Sequence, residues 1–382
     1  MARRLLRLAA ALSFSPMLVG TSCRLAALLG VVLPKSPAIR RTNLLSSGIG
    51  GWVMFPDARF VTPRPLLNDN GARWIFIAIA GFVSAIGLWK LNVTIVWKSL
   101  WWAIEFDILL FLCAAIYQIV GAQAPPLRRS MAIVSDLLLS ILQLIVALKA
   151  FTPLTYLAAA SGYPLVDGEL TRLDAIALGF NWNAEANWVA SHPTLDWLLQ
   201  QAYFSLYYQG AFVFLLGSVR HPGDRNGELI WQFCISLALT CAVFAFTPAL
   251  GHVAHAGTGW LKTLIMIRSG EWATLDFSQV EGIISFPSFH TTLAILLVYA
   301  VRHHRWALAV LVPLNMLLIM ATLSVGGHYL VDLPAGAAVA VVSIAATRLL
   351  RRQLAKGRPL SFLDLAGVAS GFRTGSSKAS TA

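Results

Sequence analysis

A series of long apolar runs is the feature of this chain that most constrains its fold. A helix that crosses a bilayer needs about 20 mostly apolar residues. Eight stretches reach or nearly reach that length, near residues 74–90, 101–121, 132–158, 198–217, 229–249, 286–301, 306–325 and 329–347. The sixth is short, since its clean apolar part runs only from Phe289 to Val301. The runs predict an all-α integral membrane protein with about eight transmembrane helices.

The composition agrees with this class of protein. Charged residues make up only 12% of the chain and hydrophobic residues 57%, whereas a soluble domain carries about 25% charged residues. The net charge of +12 fits basic residues held on the cytoplasmic side of a membrane. No basic run is interleaved with aromatic residues in an RNA-binding pattern. We therefore expect a bilayer as partner and no nucleic acid.

The four cysteines do not predict a disulfide framework or a metal site. Three of them fall in apolar runs, and no pair has the spacing of metal ligands. We interpret them as small hydrophobic residues.

Most of the basic residues between the runs collect in alternate loops, which predicts the orientation of the spans. They are Arg128 and Arg129, Arg220 and Arg225, Arg302 and Arg305, and Arg348, Arg351, Arg352, Lys356 and Arg358. All fall on one side if the eight runs alternate, and the positive-inside rule makes that side cytoplasmic. The acidic loop after the third run is then outside. We expect short interfacial helices there, with an ordinary capping loop as the alternative.

The two ends of the chain lie beyond the apolar runs. We interpret residues 1–72 as a cytoplasmic or interfacial segment, with a cleaved secretory signal at the very start as the alternative. Residues 351–382 are basic and end in a low-complexity stretch, which predicts a cytoplasmic, partly disordered tail.

Three polar segments converge on the outer side of the last four runs. One follows the fifth run, one opens the sixth, and one joins the seventh to the eighth. Their candidate functional side chains are Lys262, Arg268, Ser288, His290, His328 and Asp332. Tyr203 and Gln209, near the start of the fourth run, are further candidates for lining a cavity there.

The stretch FPSFH predicts a helix start that carries a histidine. Pro287 cannot continue a helix from upstream, and Ser288 is a good N-cap residue. His290 then lies in the first turn of a helix that runs from Phe289 to Arg302. Because a helix N-terminus is a natural anion site, this segment predicts phosphate binding.

The stretch GGHYLVD places His328 and Asp332 four residues apart. On a helix these positions share a face, so Asp332 would orient the ring and leave its other nitrogen free to attack. Pro334 fits best in a first turn, and this alternative places the helix start near Leu330, so that the contact spans the helix N-terminus. Both geometries stay open from the sequence. The two glycines before His328 allow close approach of a ligand to the backbone.

FPSFH and GGHYLVD resemble the second and third signatures of the type 2 phosphatidic acid phosphatase superfamily. The resemblance covers roughly residues 130 to 350, and the pattern is most similar to the branch that includes fungal inositol phosphorylceramide synthases and many bacterial membrane proteins. It implies a six-helix membrane catalytic domain over residues 131–350, preceded by two additional transmembrane helices over residues 73–130. It also implies a bacterial inner membrane location with the site facing the periplasm.

The resemblance implies a role for each candidate residue. His328 attacks phosphorus to form a phosphohistidine, Asp332 orients it, and His290 protonates the leaving group. Four residues are assigned to the substrate phosphate: Ser288, Lys262, Arg268 and Gly327. The implied activity is lipid phosphatase or phosphotransferase, on phosphatidic acid, a prenyl diphosphate or a phosphoinositol or sphingolipid. An alcohol or lipid is a possible acceptor, and no metal or other cofactor is required.

Three departures from the signatures favour a phosphotransferase over a simple phosphatase. Lys262 and Arg268 are one residue closer than in the first signature. Phe289 stands where the second has Gly, and Ala321 and Thr322 stand where the third has Ser-Arg.

Two other classes of function remain as alternatives. His252 and His255, three residues apart, could join His290 and His328 as metal ligands, but no H-E-x-x-H motif or repeated histidine box accompanies them. The other alternative is a non-catalytic lipid transporter or scaffold that retains the fold. It predicts lipid binding without turnover.

Overall fold

The computed structural model describes residues 68–220, 225–252 and 258–356. The expectations for residues 1–67, for the tail beyond residue 356 and for His255 lie outside these ranges. The described residues form eleven α-helices: α1 Asp69–Lys90, α2 Trp97–Gln123, α3 Arg128–Ala159, α4 Asp167–Leu178, α5 Trp182–Ala190, α6 Pro193–Arg220, α7 Arg225–Phe246, α8 Thr258–Ser269, α9 Phe289–Ala300, α10 Arg305–Ser324 and α11 Asp332–Ala355. Two short strands, β1 Thr94–Ile95 and β2 Thr274–Leu275, pair in parallel.

Seven of the described helices are long and apolar enough to cross a membrane, as judged by length and composition. They are α1, α2, α3, α6, α7, α10 and α11, and the shorter apolar helix α9 has 12 residues. Each of the eight apolar runs therefore corresponds to one helix. This confirms the all-α membrane fold, with the short sixth run as the shorter helix α9.

The core forms where α7 packs against α3, α9 and α11. α7 is the most buried of the seven spans, at 61%. Phe151 of α3, Phe244 of α7 and Leu296 of α9 are almost fully buried there. In contrast, α2 packs against α3 and is only 6% buried, so α2 lies at the edge of the bundle.

Arginine contacts bring the ends of several helices together at one end of the bundle. Arg302 donates to both carboxylate oxygens of Glu228 at 3.0 Å. Arg348 donates to the hydroxyl of Tyr299 at 2.8 Å. The ends of α7, α9 and α11 thus meet at a basic end, and the loops with His290 and His328 lie at the opposite end.

Candidate active site

His328 and Asp332 contact each other at the start of α11. Nδ1 of His328 lies 3.0 Å from Oδ2 of Asp332, and both side chains are almost completely buried. The same oxygen accepts the N–H of Tyr329 at 2.8 Å. Because α11 begins at Asp332, the contact spans the helix N-terminus, which is the second of the two geometries expected from Pro334. With Nδ1–H donating to the carboxylate, Nε2 carries the free lone pair.

The loop before His328 requires glycine at position 327. Gly327 has φ +65°, in the left-handed region, and a Cβ built on it would lie 2.1 Å from the carbonyl oxygen of His252. The N–H of His252 donates to the Gly327 carbonyl at 2.7 Å. The loop is thus held backbone to backbone against the segment that follows α7, which only a residue without a side chain permits.

His290 lies in the first turn of α9, as expected. Ser288 caps this helix, since its Oγ accepts the N–H of Thr291 at 3.3 Å. The N–H of Ser288 donates to the carbonyl of Asp332 at 3.2 Å, which ties the two histidine segments together. The ring centroids of His290 and His328 are 6.0 Å apart. Sequence segments almost forty residues apart therefore bring both histidines into one site.

A cavity of about 590 Å³ opens beside the two histidines. This volume lies within the range of ligand pockets, roughly 300–1,000 Å³. Tyr203 of α6 lines it and stacks on His290 at 4.4 Å between ring centroids. Asp196 and Gln200 extend the same face of α6 away from His290. The cavity therefore offers polar groups for a ligand as well as the histidines.

One buried hydroxyl in the cavity wall is unused. Oγ of Ser324 finds no hydrogen-bond partner among the described residues, although Ser324 is buried and lines the cavity. Because an unpaired buried hydroxyl is costly, this oxygen is suited to a ligand or a water in the cavity. Gln209, the other α6 candidate, instead bonds to Ser205 and Asn315.

Lys262 and Arg268 lie on α8, and neither is among the described residues that line the cavity. Arg268 donates to the carbonyl oxygens of Ala159 at 3.3 Å and of Tyr163 at 2.7 Å. Its guanidinium thus satisfies carbonyls at the end of α3. Lys262 is exposed.

Two carboxylates of α4 hold the His328 loop, and the sequence reasoning assigned them no role. Asp174 accepts the N–H groups of Leu330 at 2.8 Å and of Val331 at 2.9 Å. Asp167 accepts the hydroxyl of Tyr329 at 2.7 Å. Asp167 and Asp174 are seven residues apart, which places them on one face of a helix. That spacing was the signal available in the sequence.

His252 lies between two aromatic rings beside this loop, stacked on Trp182 and tilted against Tyr329. Its ring centroid lies 4.5 Å from that of Trp182 and 4.4 Å from that of Tyr329. Trp182 itself donates its indole N–H to the carbonyl of Leu323 at 2.8 Å. Burial lowers the pKa of His252, which favours the neutral ring. His252 therefore has a packing role in these contacts.

The comparison with known protein families gives one match. The model of the PAP2 superfamily matches residues 168–346, slightly less than half of the chain. The matched span begins in α4 and ends in α11, so it contains both histidine segments and leaves α1, α2 and α3 outside. No curated protein matches the chain, and no solved structure matches it.

Proposed function

We propose that this chain is a membrane-embedded lipid phosphatase or phosphotransferase that acts through a phosphohistidine at His328. The observation that carries the proposal is the contact of His328 with Asp332, beside His290 on the wall of one cavity. Two histidines and a carboxylate from separate segments suit nucleophilic catalysis with a separate proton donor. The PAP2 superfamily match over residues 168–346 supports the same class of reaction.

The first half-reaction transfers the phosphoryl or phosphodiester group to His328. Nε2 of His328 attacks phosphorus while the bond from phosphorus to the leaving oxygen breaks. Asp332 accepts the Nδ1–H hydrogen bond and stabilises the positive charge that develops on the ring. Protonated His290 donates its proton to the leaving oxygen. The leaving group departs as an alcohol or, from a prenyl diphosphate, as prenyl phosphate.

The second half-reaction regenerates the enzyme. A hydroxyl attacks phosphorus, the bond between Nε2 and phosphorus breaks, and neutral His290 takes the proton of the attacking group. With water and a phosphomonoester the product is inorganic phosphate. With a phosphodiester donor, His328 carries phosphorus with its remaining ester bond, and an acceptor alcohol then yields a new phosphodiester, which is the inositolphosphotransferase-like outcome.

The phosphate is held by backbone groups in this proposal. The first turn of α9 presents N–H groups beside His290, and the backbone of Gly327 lines the cavity. Phosphate binding by Ser288, Lys262 and Arg268 stays a prediction. In the described structure, Oγ of Ser288 caps α9 and Arg268 donates to carbonyls of another segment.

The cavity favours transfer as a second outcome beside hydrolysis. Asp196 and Gln200 provide hydrogen-bond acceptors for a hydroxyl-bearing headgroup or acceptor. The site is proposed to face the non-cytoplasmic side, which is the periplasm in a bacterial inner membrane. The arginine-rich opposite end of the bundle supports this orientation.

The test is a panel of labelled lipids given to the purified protein. We expect turnover of phosphatidic acid, prenyl diphosphate or phosphatidylinositol, measured with and without ceramide or diacylglycerol as acceptor. Released inorganic phosphate identifies a phosphatase. A labelled lipid formed only with acceptor identifies a phosphotransferase.

His328→Ala tests the nucleophile in the same assay. We expect loss of activity and of any acid-labile phosphoenzyme, because no other group replaces Nε2. His192→Ala is the matched control, since His192 is exposed and lies in the loop between α5 and α6. Full activity in His328→Ala contradicts the mechanism. Lipid binding without turnover in the wild-type protein favours the transporter or scaffold.

A further inference from the structure

We propose that a second cavity, between α2 and α3, binds a hydrocarbon chain of the lipid phosphoester while its phosphorus lies beside His328. This inference rests on the proposed function and adds where the hydrocarbon part of the substrate binds. The cavity has a volume of about 760 Å³, within the roughly 300–1,000 Å³ range of ligand pockets. The loop that follows β2 closes one side of it.

The second cavity shares part of its wall with the first. Leu148 and Thr152 of α3, and Val280 of the loop after β2, line both cavities. A lipid whose phosphorus is at the histidines can therefore extend its chain past these three residues into the second cavity. The geometry favours one ligand across both spaces over two unrelated sites.

The wall of the second cavity suits a hydrocarbon chain. Trp102 and Phe106 of α2 face Ile145 of α3 across it. Two lysines line this wall: Lys98 at the start of α2, which is exposed, and Lys149 of α3. Lys149 is already neutralised, since its Nζ lies 2.7 Å from Oδ1 of Asp107. An anionic ligand at Lys149 would have to compete with that carboxylate, whereas a hydrocarbon chain leaves the ion pair undisturbed.

The cavity is accessible from the side of the bundle. Trp102 and Phe106 line it and are 64% and 49% exposed. On a spanning helix such exposed aromatic faces meet lipid rather than water. A membrane lipid can thus reach the cavity laterally, without leaving the bilayer.

One strand pairing and one hydrogen bond to a side chain hold α2 against the site. β1, which precedes α2, pairs with β2, and the N–H of Phe277 donates to Oγ of Ser99 on α2 at 3.1 Å. The same loop continues through Val280 to the wall of the first cavity. α2 and α3 precede the residues 168–346 that match the superfamily. The chain site is therefore built mainly by helices outside the matched span.

A substitution that fills the second cavity tests the inference. Ala103 of α2 lines it, and only its backbone carbonyl bonds to Lys149, so Ala103→Phe retains that hydrogen bond. The matched control is Ala122→Phe, at an exposed position near the far end of α2. Turnover is measured on dipalmitoyl and dihexanoyl forms of phosphatidic acid and phosphatidylinositol.

We expect Ala103→Phe to lower turnover of the dipalmitoyl substrate by about tenfold or more, because a displaced chain misplaces the phosphorus. Turnover of the dihexanoyl substrate should stay near the wild-type value, as should both activities of Ala122→Phe. Equal losses on both chain lengths, or no loss, overturn the inference and leave the proposed function intact.

Photolabelling decides the chain site independently of turnover. The probes are phosphatidic acid, phosphatidylinositol and the acceptor diacylglycerol, each with a diazirine on the acyl chain. The labelled peptides are mapped. We expect labels on α2 and α3 around Trp102 and Ile145, and their loss in Ala103→Phe. Absence of labels there, or labelling only by a diazirine-bearing diacylglycerol acceptor, overturns the inference. A wild-type protein without any turnover overturns the proposed function instead.

Discussion

At the scale of single residues, the proposed mechanism gives the two histidines different roles because their surroundings differ. His328 has a carboxylate on Nδ1, which leaves the free lone pair on Nε2. His290 has no carboxylate contact among the described residues, and its neighbour is the ring of Tyr203. The oriented and anchored ring is suited to attack, and the other ring to proton transfer.

The proposed proton-donor role of His290 predicts a dependence on the leaving group. His290→Ala should lower turnover of phosphatidic acid by about 100-fold to 10,000-fold, since an alkoxide leaves poorly without a proton. The loss on p-nitrophenyl phosphate should be less than about tenfold, because nitrophenolate leaves without protonation. Rates of both substrates are compared in the same membranes. Equal losses on the two would assign His290 to positioning rather than to proton transfer.

At the scale of elements, the site depends on close backbone contact between α9 and α11. A Cβ on Gly336 of α11 would lie 2.3 Å from the carbonyl oxygen of Ser288, and Oγ1 of Thr292 donates to the Gly336 carbonyl at 2.9 Å. α11 carries Asp332 and α9 carries His290. The separation of these helices therefore sets the distance between the two halves of the site.

Gly336→Ala should force α9 and α11 apart. We expect kcat to fall by about 100-fold, the cost of a misplacement of about 1 Å, and stability to fall by about 1–3 kcal/mol from overpacking. The rate is measured per folded protein so that the two effects are separated. The control is Gly210→Ala on α6, where an added Cβ meets no atom within 4 Å. Similar losses of kcat and of stability in the two variants would contradict the packing argument.

A carboxyl on α5 predicts a pH dependence of stability. Burial raises the pKa of Glu185 from 4.5 to about 7, and its Oε2 has no hydrogen-bond partner among the described residues. The pKa of the Glu185 carboxyl is lower in the unfolded chain, so the unfolded chain loses this proton at a lower pH than the folded protein does. The folded state is therefore favoured at low pH, and this contribution is lost as pH rises from about 4.5 to 7.

Glu185→Gln should remove that contribution. Its thermal midpoint should exceed the wild-type value at about pH 8 and match it at about pH 4. Tryptophan fluorescence in detergent reports the midpoint. Glu169→Gln, at an exposed position of α4, is the control and should match the wild-type protein at both pH values. Between about pH 4 and pH 8, the thermal midpoint of the wild-type protein should fall relative to that of Glu185→Gln. If it does not, the pH dependence does not come from Glu185.

At the scale of the described bundle, the two ends differ in charge and in the side chains that they carry. One end joins Arg302 and Glu228 and carries most of the arginines between spans. The other end carries the two histidines, the α4 carboxylates and the strand pair. This asymmetry matches a positive-inside orientation with the site on the opposite side.

Cysteine labelling checks this orientation. Two exposed positions are substituted singly in a cysteine-free variant. Ser278→Cys lies in the loop after β2, beside the start of α2 and near the site. Ser130→Cys lies in the first turn of α3, just after the opposite end of α2. A membrane-impermeant maleimide added to intact cells should label Ser278→Cys, and Ser130→Cys only after permeabilisation. The reversed pattern would place the site on the cytoplasmic side.

The sequence by itself determined the helices and the identity of the central residues. Apolar runs of bilayer length predict spans, and Pro287 with Ser288 predicts a helix start, because both depend on neighbours along the chain. The histidine and carboxylate of GGHYLVD are likewise close in sequence. Local rules therefore sufficed for the eight helices and for the contact between His328 and Asp332.

The tertiary structure decided which distant side chains serve that contact. Asp174 binds the N–H of Leu330, 156 positions away, and Arg268 turns to the end of α3 rather than to the cavity. The cavity between α2 and α3 likewise exists only where the two helices and the β2 loop meet. Such contacts follow from the packing of whole helices, in which a small shift of one axis exchanges one partner for another. Neither composition nor local spacing contains that information.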